Sequence, residues 1–425
     1  MDALLDLDPL TEFNIAIALS AGVVLVLGLF AGYVKNRLWM SEPTLCLLLG
    51  VLAGPAVLGL ADPARLPVEP RDALLEVARM TLAIAVMGAA LRLPAGYVRR
   101  NLAPLLLVLG PGLLVMWLAS AGLAAVFLGA SPLVALLLGA ILAPTDPVVA
   151  GSITTGKIAE HLPARIRRLL IAESGANDGL GLLFVMLPLL LLTEPPGAAV
   201  TEWLTRVLLW EIGGAVVIGA AAGWLAGRLL LWAYRQPFSD DHSLITVGLA
   251  LSLTVLALVR LMGGDGILAV FAAGVTFARY VSRRETRHEH AQEAIGRFFD
   301  LPAFILIGVA LPWGDWAALG WAAPAFAAAV LALRRLPWWM LGRVVAPEFG
   351  TRAEFAFMGW FGPIGVSSTY YALLAARETG VAELWPWTSL VVFASVLVHG
   401  ITATPLTRLV TGIGRGEPGL PREPA

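Results

Sequence analysis

Three polar residues at one place in an apolar segment are the strongest chemical signal in this chain of 425 residues. Glu173, Asn177 and Asp178 lie within an oily stretch that is predicted to form a helix over residues 166–192. A carboxylate in hydrocarbon is costly unless it is paired or lines a water-filled cavity, so acids inside a membrane segment indicate a functional site by default. Competition between a cation and a proton for one carboxylate is a chemistry that these residue types allow.

The composition requires a membrane around these residues. Hydrophobic residues make up 58% of the chain and charged residues 14%, and the mean hydropathy is +0.81, which excludes a soluble domain. Apolar runs of about 18 to 28 residues recur, each long enough to cross about 30 Å of hydrocarbon. We therefore predict an all-α integral membrane protein with about thirteen transmembrane helices. They are predicted over 13–34, 43–60, 73–93, 103–128, 132–151, 166–192, 205–234, 241–261, 264–281, 294–311, 318–345, 354–375 and 385–410.

The distribution of basic residues predicts the orientation of these helices. Lys and Arg concentrate in alternate loops, as at 165–168 and 283–287, and again after the last helix. The positive-inside rule therefore places the N-terminus outside and the C-terminus inside, which an odd number of helices requires. We interpret residues 13–411 as one transmembrane domain of the cytoplasmic membrane, with a short extracellular N-terminus over 1–12 and a cytoplasmic tail over 412–425.

Two predicted helices are interrupted at membrane depth. In the fifth, Pro144 and Pro147 remove backbone donors on either side of Thr145 and Asp146, so the helix should unwind there. The twelfth has a comparable break over 359–365. Non-helical backbone at this depth is tolerated only where protein or a water-filled cavity surrounds it, and such broken helices commonly form ion sites.

The positions of the two breaks suggest an internal symmetry. The first six and the last six predicted helices correspond in order, with the seventh as a connector, so that the fifth corresponds to the twelfth. Inverted repeats of this kind are typical of secondary transporters, whose sites lie near the midplane where the repeats meet. We therefore predict inverted six-helix repeats with crossed broken helices.

These motifs together resemble the NhaP-type monovalent cation/proton antiporters of the cation:proton antiporter superfamily, in the electroneutral branch with an Asn-Asp pair. The resemblance covers essentially the full length. The matching segments are 145–147, Glu173-Ser174, Asn177-Asp178, 264–271, Arg334, 361–366 and 398–405. The chain departs from many relatives at 87–90, where they carry a glutamate, and at Ile364, where they often carry a basic residue.

The resemblance implies a homodimer with a mobile core, which exchanges one cation for one proton in the service of pH homeostasis. It implies that Asp178 carries the cation and the proton alternately, with Thr145, Asp146 and Ser174 around the ion. It also pairs Glu173 with a membrane-embedded arginine, taken as Arg334, although the adjacent Arg335 leaves the register open by one residue. Cofactors are not expected, since Na⁺, K⁺ or Li⁺ and H⁺ are the transported substrates. The expected partners are these ions, the lipid bilayer and a second copy of the chain, and not a nucleic acid.

The side-chain chemistry agrees with these assignments. Monovalent cations prefer oxygen ligands, which Asp178, Asp146, Thr145, Ser174 and freed carbonyls would supply. Competition with a proton requires a carboxyl whose pKa is near the working pH, and burial penalises the charged form of a carboxyl. Asn177 is neutral, so it can bond Asp146 or a backbone carbonyl without adding a charge. Glu173 precedes Asp178 by five residues, or about 140° around a helix, which predicts a separate structural role.

Other interpretations remain open at the level of sequence. Asp146 could be no more than the cap of a helix half. Asp265, between glycines, is expected to cap a helix start rather than bind an ion. A passive monovalent cation channel would use the same polar residues. An intramembrane enzyme would use Asp146 and Asp178 as an aspartyl dyad that shares one proton, but it would leave Asn177 and the twelfth-helix break without a role.

Replacing Asn177 tests whether its neutrality matters. Asn177→Asp adds a titrating charge beside Asp178, so we expect weaker exchange or a changed ratio of cations to protons. The measurement is the pH profile and charge balance of transport in proteoliposomes. An unchanged profile and an unchanged charge balance would contradict this prediction.

Overall fold

The computed structural model describes residues 9–33, 37, 39–65, 69–155, 159–236, 246–281, 286–345 and 349–412. All regular secondary structure in these segments is helical, which confirms the predicted all-α class for this part of the chain. Most of the two predicted tails, 1–12 and 412–425, lies outside the described residues.

The first half of the chain supplies nine α-helices among the described residues. They are α1 (Pro9–Tyr33), α2 (Glu42–Ala53), α3 (Pro70–Leu91), α4 (Tyr97–Arg100), α5 (Leu102–Leu107), α6 (Leu113–Leu128), α7 (Pro132–Leu142), α8 (Pro147–Thr154) and α9 (Ala164–Thr193). A 3₁₀ turn forms at Pro63–Arg65, and a π-helical stretch, Val108–Gly112, joins α5 to α6. That stretch contains Pro111, which has no N–H to give to a regular helix.

The second half of the chain is also helical and also contains a π-helical stretch between two α-helices. A π-helical stretch, Trp203–Gly214, joins its first two helices into one long span. The helices are α10 (Pro196–Glu202), α11 (Ala215–Ala233), α12 (Val247–Leu261), α13 (Ile267–Val281), α14 (Thr286–Val309), α15 (Trp313–Ala318), α16 (Ala322–Leu333), α17 (Leu336–Val345), α18 (Arg352–Trp360), α19 (Val366–Thr379) and α20 (Leu384–Thr411).

Several of these helices have the length and composition to cross a membrane. Among the described residues six stretches qualify, and shorter apolar helices accompany them. The six are Pro70–Leu91, Leu102–Leu128, Pro132–Thr154, Ala164–Thr193, Pro196–Ala233 and Leu384–Thr411. They agree with a multi-pass membrane protein, while the total of thirteen stays a prediction.

Several predicted helix boundaries were wrong. The seventh span begins at Pro196 rather than at residue 205, and the first helix begins at Pro9 rather than at residue 13. The second helix ends at Ala53, because Gly54 and Pro55 follow it. The tenth begins at Thr286 rather than at residue 294, since its polar first turns still form a helix. The eleventh is not continuous over 318–345 but is divided between Leu333 and Leu336, where two buried arginines turn into the protein.

The helix α9, which carries the polar residues, lies at the centre of the bundle. It packs against α3, α7, α8, α13 and α19. Glycines on α9 make some of these approaches possible: a Cβ at Gly179 would lie 2.6 Å from Leu268 of α13. Small residues let membrane helices approach closely where no hydrophobic effect drives them together.

The contact between α11 and α13 has the same origin. Gly219, Gly223 and Gly227 are spaced four apart on α11 and face α13. A Cβ at Gly223 would lie 2.8 Å from the carbonyl carbon of Ala273, closer than real Cβ atoms come. The two helices can therefore pack only because these positions carry no side chain.

Replacing one of these glycines should destabilise the fold. We expect Gly223→Ala to cost about 1–3 kcal/mol, because the added methyl meets backbone that cannot move aside. Gly122→Ala is the matched control, since Gly122 lies in the helix α6 and no atom would come within 4 Å of its Cβ. Thermal unfolding of the purified protein in detergent should show a lower Tm for Gly223→Ala alone. Equal Tm values for the two variants would contradict the close packing.

Candidate ion-binding site

The breaks in the two predicted helices meet inside the bundle. The helix α7 ends at Leu142 and α8 begins at Pro147, while α18 ends at Trp360 and α19 begins at Val366, so both predicted interruptions are confirmed. The backbone N–H of Asp146 in the first break donates to the carbonyl of Pro363 in the second at 2.8 Å. Four half-helix ends are thus gathered at one place.

A single carboxylate serves the two N-terminal ends. Asp146 Oδ1 accepts the N–H groups of Val148 at 2.8 Å and Val149 at 2.9 Å, which caps α8. Its Oδ2 accepts the N–H of Val366 in the first turn of α19. Gly365 is required there, because a Cβ would collide with the Asp146 carboxylate. Both N-termini carry positive partial charge, so one buried acid stabilises two helices.

A single guanidinium serves the two C-terminal ends. Arg334 Nη1 donates to the carbonyl of Leu142, the last residue of α7, and to those of Ala143 and Pro144, which follow it. Its Nη2 donates to the carbonyl of Gly362, just after α18. These carbonyls have no partner within their own helices and carry the negative ends of the helix dipoles. Arg334 therefore complements them as Asp146 complements the N-terminal ends.

Glu173 pairs with Arg335, so the prediction that it pairs with Arg334 was wrong by one residue. Arg335 binds both carboxylate oxygens of Glu173, with Nη2 and Oε2 2.8 Å apart, and its Nε donates to the carbonyl of Met358 at 2.9 Å. The guanidinium also lies 5.1 Å from the ring centroid of Trp339. The helix is interrupted at these two arginines, so successive side chains point to different parts of the protein.

Asn177 joins the first break to α9 through Thr145. Its Nδ2 donates to Thr145 Oγ1 at 2.9 Å, and its Oδ1 accepts the Thr145 N–H at 3.2 Å. Thr145 Oγ1 and Ser174 Oγ lie 3.1 Å apart. The expected partners of Asn177, Asp146 or a backbone carbonyl, were therefore wrong: the amide pairs with a threonine because that residue offers both a donor and an acceptor.

Asp178 lies beside this group and is fully buried. Neither of its carboxylate oxygens has a hydrogen-bond partner among the described residues. Its backbone carbonyl accepts the hydroxyl of Tyr371 on α19. Such a carboxylate must hold a proton, a water molecule or a cation, because a bare charge in the interior is very costly.

Two residues near Asp178 were missed by reasoning from sequence. The hydroxyl of Tyr371 donates to the backbone carbonyl of Asp178. Ser367 lies one turn before Tyr371 on the same helix. Both follow the second break and are four residues apart, so they share one face of α19. That spacing of polar groups in a membrane segment is the signal that could have found them.

Asp265 lies apart from the crossing. Its Oδ2 accepts the N–H of Ile267 at 3.4 Å, which agrees with the predicted role at the start of α13. Its Oδ1 accepts the hydroxyl of Tyr370 on α19. Asp265 therefore ties α19 to the start of α13 and is not brought into contact with Asp178 by any hydrogen bond.

The charges at the crossing leave one acid without a counterion. Asp146 and Arg334 lie at opposite ends of the half-helices, and Glu173 and Arg335 form an ion pair. These residues and Asp178 amount to three carboxylates and two guanidiniums. Asp178 is therefore the carboxylate whose charge no guanidinium balances. One monovalent cation or one proton would neutralise it.

Broken helices that cross at a buried acid, within a bundle of membrane-length apolar helices, define a secondary membrane transporter. A sequence model of the family described as "Sodium/hydrogen exchanger, transmembrane" matches residues 22–409. The chain belongs to the sodium/hydrogen exchanger family, which confirms the resemblance stated from its motifs, and it is a transporter and not an enzyme. The ions that such antiporters carry are substrates and not cofactors.

Relatives in this family cover the chain almost completely. An Na(+)/H(+) antiporter of Schizosaccharomyces pombe is 29% identical over 94% of this chain and 90% of its own length. The K(+)/H(+) antiporter NhaP2 of Shewanella oneidensis is 24% identical over 95% of this chain and 68% of its own. The solved structure of the sodium proton antiporter MjNhaP1 from Methanocaldococcus jannaschii superposes with a TM-score of 0.65 at 20% identity, covering 95% of this chain and 96% of that one.

Some relatives are much longer than this chain. It spans 55%, 50% and 42% of three further fungal proteins named as known or probable Na(+)/H(+) antiporters. The likeness to MjNhaP1, at its low identity, bears on the fold alone.

The Glu173 to Arg335 pair can be tested by removing one partner. Glu173→Gln leaves Arg335 buried without its counterion, and we expect a loss of about 3–5 kcal/mol. Adding Arg335→Met should restore part of that loss, because the stranded charge is then gone. The measurement is thermal unfolding in detergent.

The control for this experiment is Glu76→Gln. Glu76 lies 2.6 Å from Arg79, and its side chain is 49% exposed, so we expect a change within about 1 kcal/mol. If Glu173→Gln destabilises no more than this control, the buried pair does not hold the helices together.

Proposed function

We propose that this protein is an antiporter that exchanges one monovalent cation for one proton across the cytoplasmic membrane. Asp178 binds the cation and the proton in competition. Na⁺ is the first candidate for the cation, as in the name of the fungal relative, and K⁺ and Li⁺ are the others. The predicted orientation has the N-terminus outside and the C-terminus inside.

The charge left over at Asp178 is the observation that carries this proposal. The other two carboxylates at the crossing have permanent partners: Asp146 accepts backbone N–H groups, and Glu173 is bound by Arg335. A site with one uncompensated negative charge accepts one positive charge, whether cation or proton. Exchange of one for the other leaves the net charge of the carrier unchanged, so the transport cycle is electroneutral.

The remaining predicted residues keep this carboxylate in place. We assign Asn177, Thr145 and Ser174 to the wall that joins the first break to α9, on the basis of their mutual hydrogen bonds. Asp146 holds the crossing by its bonds to two helix N-termini. Thr145 and Ser174 oxygens can still offer a lone pair to an ion, whereas Asn177 contributes through Thr145.

Alternating access would require helices at the site to move against their neighbours. Gly175 and Gly179 of α9 face α13, where Phe271 and Leu268 lie within 2.7 Å of the positions that Cβ atoms would occupy. A surface without protruding side chains suits sliding, because few interlocked groups must separate. The moving part in this proposal is the group of helices around the crossing. The proposed functional unit is a homodimer.

The two alternative functions are an aspartyl enzyme and a passive cation channel. An aspartyl enzyme is excluded by the family, and the Asp146 carboxylate is in addition occupied by backbone donors. A passive cation channel would also place oxygen atoms along an ion path. It differs in predicting currents with a cation reversal potential and no coupling to protons.

Removing the charge of Asp178 tests the proposed function. In proteoliposomes with an internal acidic pH and a pH-sensitive dye, addition of Na⁺, K⁺ or Li⁺ should raise the internal pH in the wild type. We expect Asp178→Asn to abolish this exchange, because an amide cannot alternate between a proton and a cation. The response should saturate with cation and be independent of the membrane potential.

Asn101→Ala provides the control, since the Asn101 side chain donates to the nearby Tyr97 carbonyl and lies outside the crossing. Its exchange should equal that of the wild type. Exchange that persists in Asp178→Asn would contradict the role of this carboxylate. Uncoupled cation currents in the wild type would instead favour the channel.

A further inference from the structure

One hydroxyl at the second break has no hydrogen-bond partner although it is fully buried. Ser367, in the first turn of α19, has 0% of its surface exposed, and its Oγ finds no partner among the described residues. A buried hydroxyl without a partner costs about 1–3 kcal/mol. Its neighbour Ser368, by contrast, donates to the carbonyl of Ile141 at 2.8 Å.

The backbone of α19 aims Ser367 at Asp178. Tyr371, four residues later on the same helix, donates its hydroxyl to the backbone carbonyl of Asp178. Residues four apart lie on one face of a helix, so Ser367 faces α9 one turn closer to the break. The Ser367 hydroxyl is thereby placed on the side of α19 that packs against Asp178, and neither it nor the Asp178 carboxylate has a hydrogen-bond partner among the described residues. The two groups without hydrogen-bond partners, the Ser367 hydroxyl and the Asp178 carboxylate, therefore lie on facing sides of α19 and α9.

The other oxygens expected around the ion already take part in hydrogen bonds, so a cation that binds there alters bonds that exist without it. Asp146 accepts two N–H groups on Oδ1 and one on Oδ2. Thr145 Oγ1 accepts from Asn177 and lies 3.1 Å from Ser174 Oγ. A cation that used these atoms first would have to compete with bonds that hold the crossing. Asp178 Oδ1 and Oδ2 and Ser367 Oγ have no such bonds to lose.

We propose that Ser367 is a ligand of the transported cation, and that it binds the ion together with Asp178 from the opposite wall of the site. This inference rests on the proposed function, since it names a second residue of the same exchange site. It goes beyond the ion-site residues that the resemblance implied, all of which lie on α9 or in the first break. The ion would thus connect the sixth predicted helix to the second half of the twelfth.

The chemistry of a serine hydroxyl fits a monovalent cation. Its oxygen has two lone pairs and no charge, so it lowers the cost of removing water from Na⁺ or K⁺ without altering the one-for-one charge balance. When Asp178 is protonated, the same hydroxyl can accept the hydrogen bond of the carboxylic acid. Ser367 therefore serves both occupants of the site, but only the cation needs it as a ligand.

The test is the cation dependence of exchange in proteoliposomes for three variants of Ser367. Ser367→Ala should raise the apparent KM for Na⁺ by about tenfold, the size of one lost bond to a charged group. Ser367→Thr keeps the hydroxyl and should retain a KM near that of the wild type. Ser367→Cys replaces a hard oxygen by a soft sulfur, so transport of Tl⁺ should gain relative to Na⁺.

Ser120→Ala is the matched control for loss of a buried hydroxyl. Ser120 is also fully buried without a hydrogen-bond partner among the described residues, but it lies on α6. Its KM and its Tl⁺ preference should equal those of the wild type. Thermal unfolding of each variant shows whether the protein remains folded. A purely structural role for Ser367 would lower stability without changing the preference between Tl⁺ and Na⁺.

The outcomes separate this inference from the function on which it rests. If the wild type exchanges cations for protons, Asp178→Asn is inactive, and Ser367→Ala and Ser367→Cys keep the wild-type KM and Tl⁺ preference, then Ser367 is not a ligand and the antiporter proposal stands. If the wild type shows no proton-coupled exchange, the proposed function itself fails. A raised KM in Ser367→Ala that Ser367→Thr restores supports the inference.

Discussion

Four ends of interrupted helices meet inside the bundle among buried side chains, and the arrangement depends on how their dipoles are neutralised. The two N-terminal ends share the carboxylate of Asp146, and the carbonyls that follow the two C-terminal ends share the guanidinium of Arg334. Each buried charge is thereby bound by backbone groups that would otherwise lack partners. One acid and one base make the break in both helices possible.

Because both arginines are bound elsewhere, the site has a carboxylate without a counterion. Since Asp146 and Arg334 serve the helix ends, and Arg335 binds Glu173 through both oxygens, nothing of opposite sign remains for Asp178. An acid that the protein leaves without a counterion has to take one from outside. In the proposed cycle, the side of the membrane to which the site opens decides whether that positive charge is a proton or a metal cation. Binding and exchange would then both follow from a local deficit of one positive charge.

Packing around the crossing uses small residues, which suits the helix movement that the proposed transport cycle requires. Glycines of α9 lie against α13, and Gly365 admits the Asp146 carboxylate to the start of α19. The contact of α11 with α13 uses glycines at every fourth residue. In lipid these close approaches replace the hydrophobic effect as the source of helix association. Polar bonds, as between Asp265 and Tyr370, then fix which helices are neighbours.

The sequence by itself determined the membrane class, the two breaks and the central acid. Length and composition of apolar runs decide whether a segment suits hydrocarbon. Pro144 and Pro147 stand three residues apart around a polar pair and together indicated the break, because each lacks an N–H, whereas the single Pro188 lies inside the continuous helix α9. Only the tertiary structure decided which arginine binds Glu173, since neighbouring residues at a helix interruption point in different directions. It also decided that Asn177 bonds Thr145, and that Ser367 faces Asp178. These pairings join residues 32 to 189 positions apart in the chain, and such distant contacts follow from the packing of whole helices, which local sequence patterns do not encode.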